Sequence, residues 1–398
     1  MLYNPTLYFL FWYSFFLNSK VVLGGTMKHQ KRILGLDGIR GIAVIGVILY
    51  HLIPSVVPGG FLGVNFFFVL SGYLIVLAGA KNKVQGRFAI GRYWKKRIRR
   101  IYPALILVIL WSSFFARIIH PASLAGARKE VFAILTGWDN IYQIHKQASY
   151  FARMSDTSIF THMWSIAIEL QFYLIAPIFL IYAFRGRVER RRTVNVLLLL
   201  SLASALAEAL LYSSEKDPTY IYYGTFTRIY ALFLGAALGL SKPDRDRRRK
   251  QTAQLSPLVS ALLFFPSVGL LVFLFLTARG TDALTYRLFL PLTALLCVFL
   301  ILQCEDSTSA ASSCLSLPAV VVPGRLSYEL YLVMYPIIAL VRGKREPGVL
   351  DSIFIAVLII IAARILHFVC QRLSSLPGHR SLNNAGRTRH LEGGTSNA

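Results

Sequence analysis

The chain has 398 residues, 55% of them hydrophobic and 15% charged, and a mean hydropathy of +0.56. That is too apolar for a water-soluble domain, and the apolar residues come in runs of about 17 to 22, the length a bilayer-crossing helix needs. The formal net charge is +25, yet Lys and Arg cluster in short stretches between apolar runs, where they set topology, which argues against a nucleic-acid partner.

The fold class is therefore all-α, a polytopic integral membrane protein, because only helices or closed barrels satisfy their backbone in lipid. In chain order, residues 1–26 carry a short aromatic run, Leu7 to Leu17, with no basic residue ahead of it. They read as an upstream extension or interfacial segment, with Met27 as the start. Ten spans follow, at Leu36–Val56, Phe61–Gly79, Ile101–Ile119, Ser158–Phe184, Val194–Tyr212, Tyr220–Leu240, Pro257–Thr277, Leu284–Cys304, Leu326–Val341 and Val349–Val369. Segments after even spans hold 21 Lys and Arg, against 11 after odd spans, which places both termini in the cytoplasm. The longest outer segment, about His120 to Thr157, contains Val131 to Leu135, too short to cross and expected to be re-entrant or interfacial. Residues 27–371 form one transmembrane domain, and the polar stretch 372–398 reads as a disordered cytoplasmic tail. Cys297, Cys304, Cys314 and Cys370 have no metal-like spacing and read as small apolar fillers.

Ionisable residues inside apolar runs are costly and mark functional interiors. Asp37, Arg40 and His51 share the first span, with Arg40 and His51 eleven positions apart on one face, roughly 16 Å along the axis. A neutral imidazole suits general-base work on a hydroxyl, whereas Asp37 and Arg40 either join the chemistry or form a structural pair at the helix mouth. His162 and Glu169 share a face of the fourth span, where a buried carboxylate must be paired or protonated. Trp164 beside them reads as an interfacial-belt residue. The basic stretch Arg92 to Ala104 exceeds what orientation requires, and Arg97 and Arg100, one turn apart, suit a phosphate clamp. Glu208, Arg228, Glu329 and Arg364 are explained equally well by ion pairs between helices.

These stretches together resemble the acyltransferase-3 family of membrane O-acyltransferases. The resemblance runs through Leu36-Asp37-Gly38-Ile39-Arg40-Gly41-Ile42-Ala43 with the Arg40 to His51 spacing, and Gly63-Val64-Asn65-Phe66-Phe67-Phe68-Val69-Leu70-Ser71-Gly72-Tyr73-Leu74-Ile75. It continues through Arg97-Ile98-Arg99-Arg100-Ile101-Tyr102-Pro103, then Trp164-Ser165 with Glu169 and Gln171-Phe172-Tyr173, and Ser327-Tyr328-Glu329-Leu330-Tyr331-Leu332. It implies an acyl-CoA donor, acetyl-CoA above all, entering from the cytoplasm, and a carbohydrate or glycolipid hydroxyl acylated at or beyond the far face of a bacterial inner membrane. No metal is implied. By position, His51 is the catalytic histidine, with Arg40, Asp37 and Glu169 beside it. Lys96, Arg97 and Arg100 stand at the CoA end, and Trp164, His162, Ser71 and Tyr331 at the acceptor. Two positions depart from the family: Asn65 stands where Asp is common, and Met334 where many relatives have His. The rival readings are a transporter or flippase, which would favour paired inverted repeats and broken helices, neither apparent in the sequence, and a scaffold whose charges are only structural.

Overall fold

The computed structural model describes residues 33–84, 87–146, 158–215, 217–249, 256–343 and 348–375. The expected extension over residues 1–26 and most of the expected tail lie outside these residues. The described chain is helical apart from one small hairpin, β1 (Lys83–Val84) paired antiparallel to β2 (Arg87–Phe88). The helices are α1 (Leu34–Leu52), α2 (Gly63–Ala80), α3 (Ile90–Ile119), α4 (Ala127–Thr136), α5 (Asp139–His145), α6 (Trp164–Ala183) and α7 (Arg187–Leu211). There follow α8 (Thr219–Tyr223), α9 (Thr225–Arg228), α10 (Tyr230–Arg249), α11 (Pro257–Thr277), α12 (Leu290–Cys304), α13 (Ala310–Leu315), α14 (Pro318–Arg325), α15 (Ser327–Arg342) and α16 (Val349–Ser375).

Among the described residues, eight helices are long and apolar enough to cross a bilayer, or nine if α14 and α15, bent by 72°, count as one span. The chain is thus a polytopic integral membrane protein, with fewer straight spans than the ten expected. The difference lies mainly in the sixth, Tyr220–Leu240, which is broken into α8, α9 and α10. Gly224 adopts extended backbone between the first two pieces, and the interruption carries Arg228 into the core, where it is fully buried. The basic stretches are also more ordered than loops. Arg92 to Arg100 forms the opening turns of α3, and Lys242 to Arg249 the closing turns of α10. The last helix continues to Ser375, past the expected start of the tail.

Helices in lipid gain little from burying one apolar surface against another, so close backbone approach and polar contacts hold the bundle. A methyl group on Gly324 would overlap the carbonyl of Asp37, and one on Gly41 the carbonyl of Val320. α1 and α14 therefore touch along their backbones. Gly72 and Gly235 do the same for α2 and α10, each facing a main-chain carbonyl of the other helix.

The polar contacts centre on Arg228. Its Nη1 donates to Glu208 Oε1 at 3.0 Å and its Nη2 to Asn65 Oδ1 at 2.6 Å. Asn65 Nδ2 donates in turn to the Tyr230 hydroxyl at 2.9 Å and the Leu290 carbonyl at 2.8 Å. An amide at position 65 serves both directions; a carboxylate there has no hydrogen for Leu290. Glu329 and His367 form a second interhelical pair at 2.8 Å. Arg364 has no ion-pair partner among the described residues. Removing one member of a fully buried pair costs about 3–5 kcal/mol, because the other charge is stranded. Glu208→Ala should therefore lower the thermal unfolding midpoint in detergent sharply. Glu208→Gln, which keeps an acceptor for Arg228, should lower it less; equal losses would mean the pair does not hold these helices.

Candidate active site

The residues singled out in the sequence gather mainly into two groups, one towards each end of α1. At the C-terminal end, His51 occupies the last turn and is 1% exposed. Its ring meets the edge of Tyr335, with centroids 5.3 Å apart, and Tyr335 stacks on His162, also at 5.3 Å. One tyrosine thus stands between two imidazoles. Arg342 donates to the His51 carbonyl at 2.9 Å, tying α15 to the end of α1.

His162 precedes α6 and is likewise 1% exposed. Its Nε2 lies 3.2 Å from the Leu332 carbonyl. A carbonyl only accepts, so Nε2 carries the hydrogen. The ring touches no carboxylate among the described residues, and an unpaired buried charge is expensive, which favours the neutral form. Nδ1 is then a bare lone pair, with no hydrogen-bond partner among the described residues. Tyr331 donates its hydroxyl hydrogen to the His162 carbonyl at 2.6 Å, which makes Ser165 the donor in the 2.7 Å contact between the Ser165 and Tyr331 hydroxyls. Trp164 is fully buried against Phe68, Tyr222 and Tyr223 rather than standing in an interfacial belt.

Towards the N-terminal end of α1, Ser71 donates to Glu169 Oε1 at 2.6 Å and Tyr173 to Oε2 at 3.1 Å. The charges of Arg100 and Arg40 act on the same carboxylate, and those of Arg100 and Asp37 on Arg40. Asp37 is buried and Arg40 half-buried. Arg97, 7% exposed, lies over two rings, 5.2 Å from the Tyr173 centroid and 5.7 Å from that of Tyr93. The Tyr93 hydroxyl, bonded to the Tyr173 carbonyl at 2.9 Å, fixes that platform. No carboxylate lies within ion-pair reach of Arg97 among the described residues. Arg40, Arg97 and Arg100 outnumber the two carboxylates here, Glu169 and Asp37, which leaves a net positive site suited to an anion, and the planar fork of Arg97 suits a phosphate. Lys96, next to Arg97 in the chain, is exposed.

A family described as an acyltransferase domain, acyltransferase-3, matches residues 33–371. The chain belongs to that family. It is 34% identical over 361 residues to the peptidoglycan O-acetyltransferase OatA of Listeria monocytogenes, a match covering 86% of this chain and 56% of that protein. It is 29% identical over 357 residues to the O-acetyltransferase OatA of Staphylococcus aureus, covering 88% of this chain and 58% of that protein. The chain thus spans little more than half the length of these curated relatives. No solved structure matches it.

Three features of this acyltransferase-3 chain escaped the sequence. Tyr335 lies one turn after Tyr331 on α15, and that spacing was its only signal. The expected re-entrant or interfacial piece around Val131 is α4, which with α5 forms a cap. In the cap Glu130, Asp139, Asn140 and Gln143 are all fully buried. The cap is also stitched to α6 and α9. Gln171 donates to the Gly137 carbonyl and Asn140 Oδ1, both at 2.8 Å, and accepts from Thr225 at 2.6 Å. Asn140 donates to the Tyr223 carbonyl and to Thr225 Oγ1, both at 2.9 Å.

Gln143 Nε2 bridges the two cap carboxyls, at 2.8 Å to Glu130 and 3.2 Å to Asp139. Burial pushes both above the usual carboxylate range, Asp139 well above its ordinary 3.8, with the nearby Glu130 charge adding to the rise. The charge of Asp139 also reaches Tyr331 and Tyr223. A carboxyl raised on folding stabilises fully below its unfolded pKa, and that contribution fades as pH rises through the folded value. Amide exchange across residues 127–145, corrected for its intrinsic pH dependence, should therefore accelerate as pH rises from about 4, by up to about tenfold per unit. Asp139→Asn should flatten the rise; an unchanged slope in that variant would assign the effect elsewhere.

Proposed function

We propose that this protein transfers an acyl group, acetyl above all, from acyl-CoA at the basic end of the bundle to a carbohydrate hydroxyl at the end where His51 lies. The observation that carries the reading is the pairing, across one helix length, of a net positive arginine site with two buried imidazoles packed on one tyrosine. The excess of Lys and Arg supports an orientation with the basic end and both termini on the cytoplasmic side of the membrane. The relative from Listeria, named for peptidoglycan, points to a cell-wall glycan as the acceptor class, with a glycolipid as the other carbohydrate form.

Arg97 and Arg100, with Arg40 further up the same side, hold the phosphates of CoA, and Lys96 adds long-range attraction from the surface. Glu169, fixed by Ser71 and Tyr173, offsets the mutual repulsion of Arg40 and Arg100. The thioester reaches along α1 toward His51. There the acyl carbon gains a bond to oxygen and loses its bond to sulfur, and the acceptor proton finally resides on the CoA thiol. His51 takes that proton or carries the acyl group in transit. His162 offers its open Nδ1 lone pair to the acceptor hydroxyl, with the Leu332 carbonyl fixing the ring, and Tyr331 and Trp164 shape the surrounding wall. Holding both substrates on one axis supplies much of the rate.

Membranes supplied with radiolabelled acetyl-CoA should label a glycan. His51→Ala should reduce this by about 100-fold or more while the protein still inserts, the scale of a lost acid–base group. Undiminished transfer would refute the role of His51. His162→Ala should slow transfer to the acceptor without changing the apparent KM for acyl-CoA. A separate variant tests the other end: Arg97→Ala should raise that KM about tenfold or more, as expected for a lost hydrogen bond to a charged group. An unchanged KM would reduce this turn of α3 to a topology anchor.

A further inference from the structure

A groove of about 710 Å³ runs between α6 and α7, apart from the two groups above, with Phe233 of α10 at its floor. Its walls are apolar, with Ile178 and Phe179 on one side and Val196 and Leu200 on the other. At the basic end of the bundle the lining changes character, to Arg192, Asn195 and Tyr182. Arg192 and Leu200 are eight residues apart on α7, so polar lip and apolar trough together run roughly 12 Å along the bilayer normal.

The arginines at this lip are not equivalent. Arg187, Arg190 and Arg191 converge on the single carboxylate of Asp244, at 3.4, 3.2 and 3.6 Å. Arg192 has no acidic partner among the described residues and faces the groove instead. Asn195, one turn further along, makes no side-chain hydrogen bond among those residues. No Asp or Glu lines the groove, so nothing in it complements a cationic headgroup. Tyr182 is backed by the guanidinium of Arg185, 5.8 Å from its ring, which places a second positive charge at the same depth.

We propose that this groove binds one anionic phospholipid from the leaflet at the basic end, its phosphate on Arg192 and Asn195 and one acyl chain in the trough over Phe233. The argument is charge complementarity at a fixed depth: an unpaired guanidinium and an open amide at headgroup level, continuous with an apolar trough at chain level. A zwitterionic lipid fills the trough equally well but brings an ammonium group that the lip does not match. The assignment is independent of the proposed chemistry, since none of these residues belongs to the two groups along α1.

Native mass spectrometry of the full-length protein, released from nanodiscs of phosphatidylglycerol or of phosphatidylcholine with the same chains, tests it. Phosphatidylglycerol should be retained as a single adduct and phosphatidylcholine should not. Arg192→Ala should weaken retention about fivefold, the effect of one basic residue at an anionic headgroup. Val196→Trp, which fills the trough and leaves every charge in place, should remove the adduct. Arg191→Ala, whose guanidinium serves Asp244, should change nothing. Equal retention of the two lipids, or retention indifferent to both Arg192→Ala and Val196→Trp, overturns the proposal. So does a dimer peak that Val196→Trp abolishes, which would assign the groove to a second copy of the chain.

Discussion

The Asp37 carbonyl occupies the space that a side chain on residue 324 would need, and much of the candidate site depends on that approach. With Gly41 and Gly324 facing each other's backbone, α1 and α14 lie closer than any pair separated by side chains. α14 then turns by 72° into α15, which brings Tyr331 and Tyr335 beside the far end of α1. The bond from Arg342 to the His51 carbonyl closes the same arrangement from the other side. The Asp-Gly-Ile-Arg-Gly stretch is therefore first a packing device. Its two ionisable groups are placed by glycines that let the helices touch, and His51 reaches Tyr335 because they do.

The two ends of α1 differ in physical character. Around Glu169, opposite charges and hydroxyls are mixed, and three arginines outnumber the two carboxylates, Glu169 and Asp37, so an anion lowers the energy of the site. Around His51 and His162 the described neighbours are rings, hydroxyls, main-chain carbonyls and the guanidinium of Arg342, with no carboxylate among the described residues against the imidazole of His162. A proton in such surroundings is held by geometry more than by charge, and the Leu332 carbonyl supplies that geometry by fixing which nitrogen of His162 carries it. Separation is itself useful. A carboxylate beside the imidazoles would favour their protonated form, which cannot accept a proton, and an imidazole among the arginines would be repelled from that form.

Much of this was legible in the sequence, for reasons that also explain what was not. Runs of Ile, Leu, Val and Phe mark lipid-crossing helices directly, and Asp37, Arg40, His51, His162, Glu169 and Arg97 stood out as exceptions within or beside them. Which exceptions meet is a tertiary fact. His162 and Glu169 share a face, yet His162 belongs with Tyr335 and Glu169 with Ser71, because seven residues of helix carry them to different depths. Trp164 looked like a belt residue since aromatic residues at a span's end usually are; here α8 folds over it. The cap was invisible because its order comes from Gln171, Asn140 and Thr225, three amides and hydroxyls from separate segments with no periodic signal.

The broken sixth segment explains why these parts are linked. A continuous helix over Tyr220–Leu240 would satisfy its own backbone and leave nothing for its neighbours. Interrupting it at Gly224 frees the Tyr223 carbonyl for Asn140 of the cap, sets Thr225 against Gln171, packs Tyr222 and Tyr223 at a tilt against Trp164, and sends Arg228 inward to Glu208 and Asn65. Irregular backbone at membrane depth is tolerated only where protein buries it or a cavity receives it. This one is buried by the helix that carries Glu169, by the cap and by the core ion pair together. Loosening any of the three unsettles the break, and with it the rings of Tyr222 and Tyr223 that bury Trp164, two residues from His162.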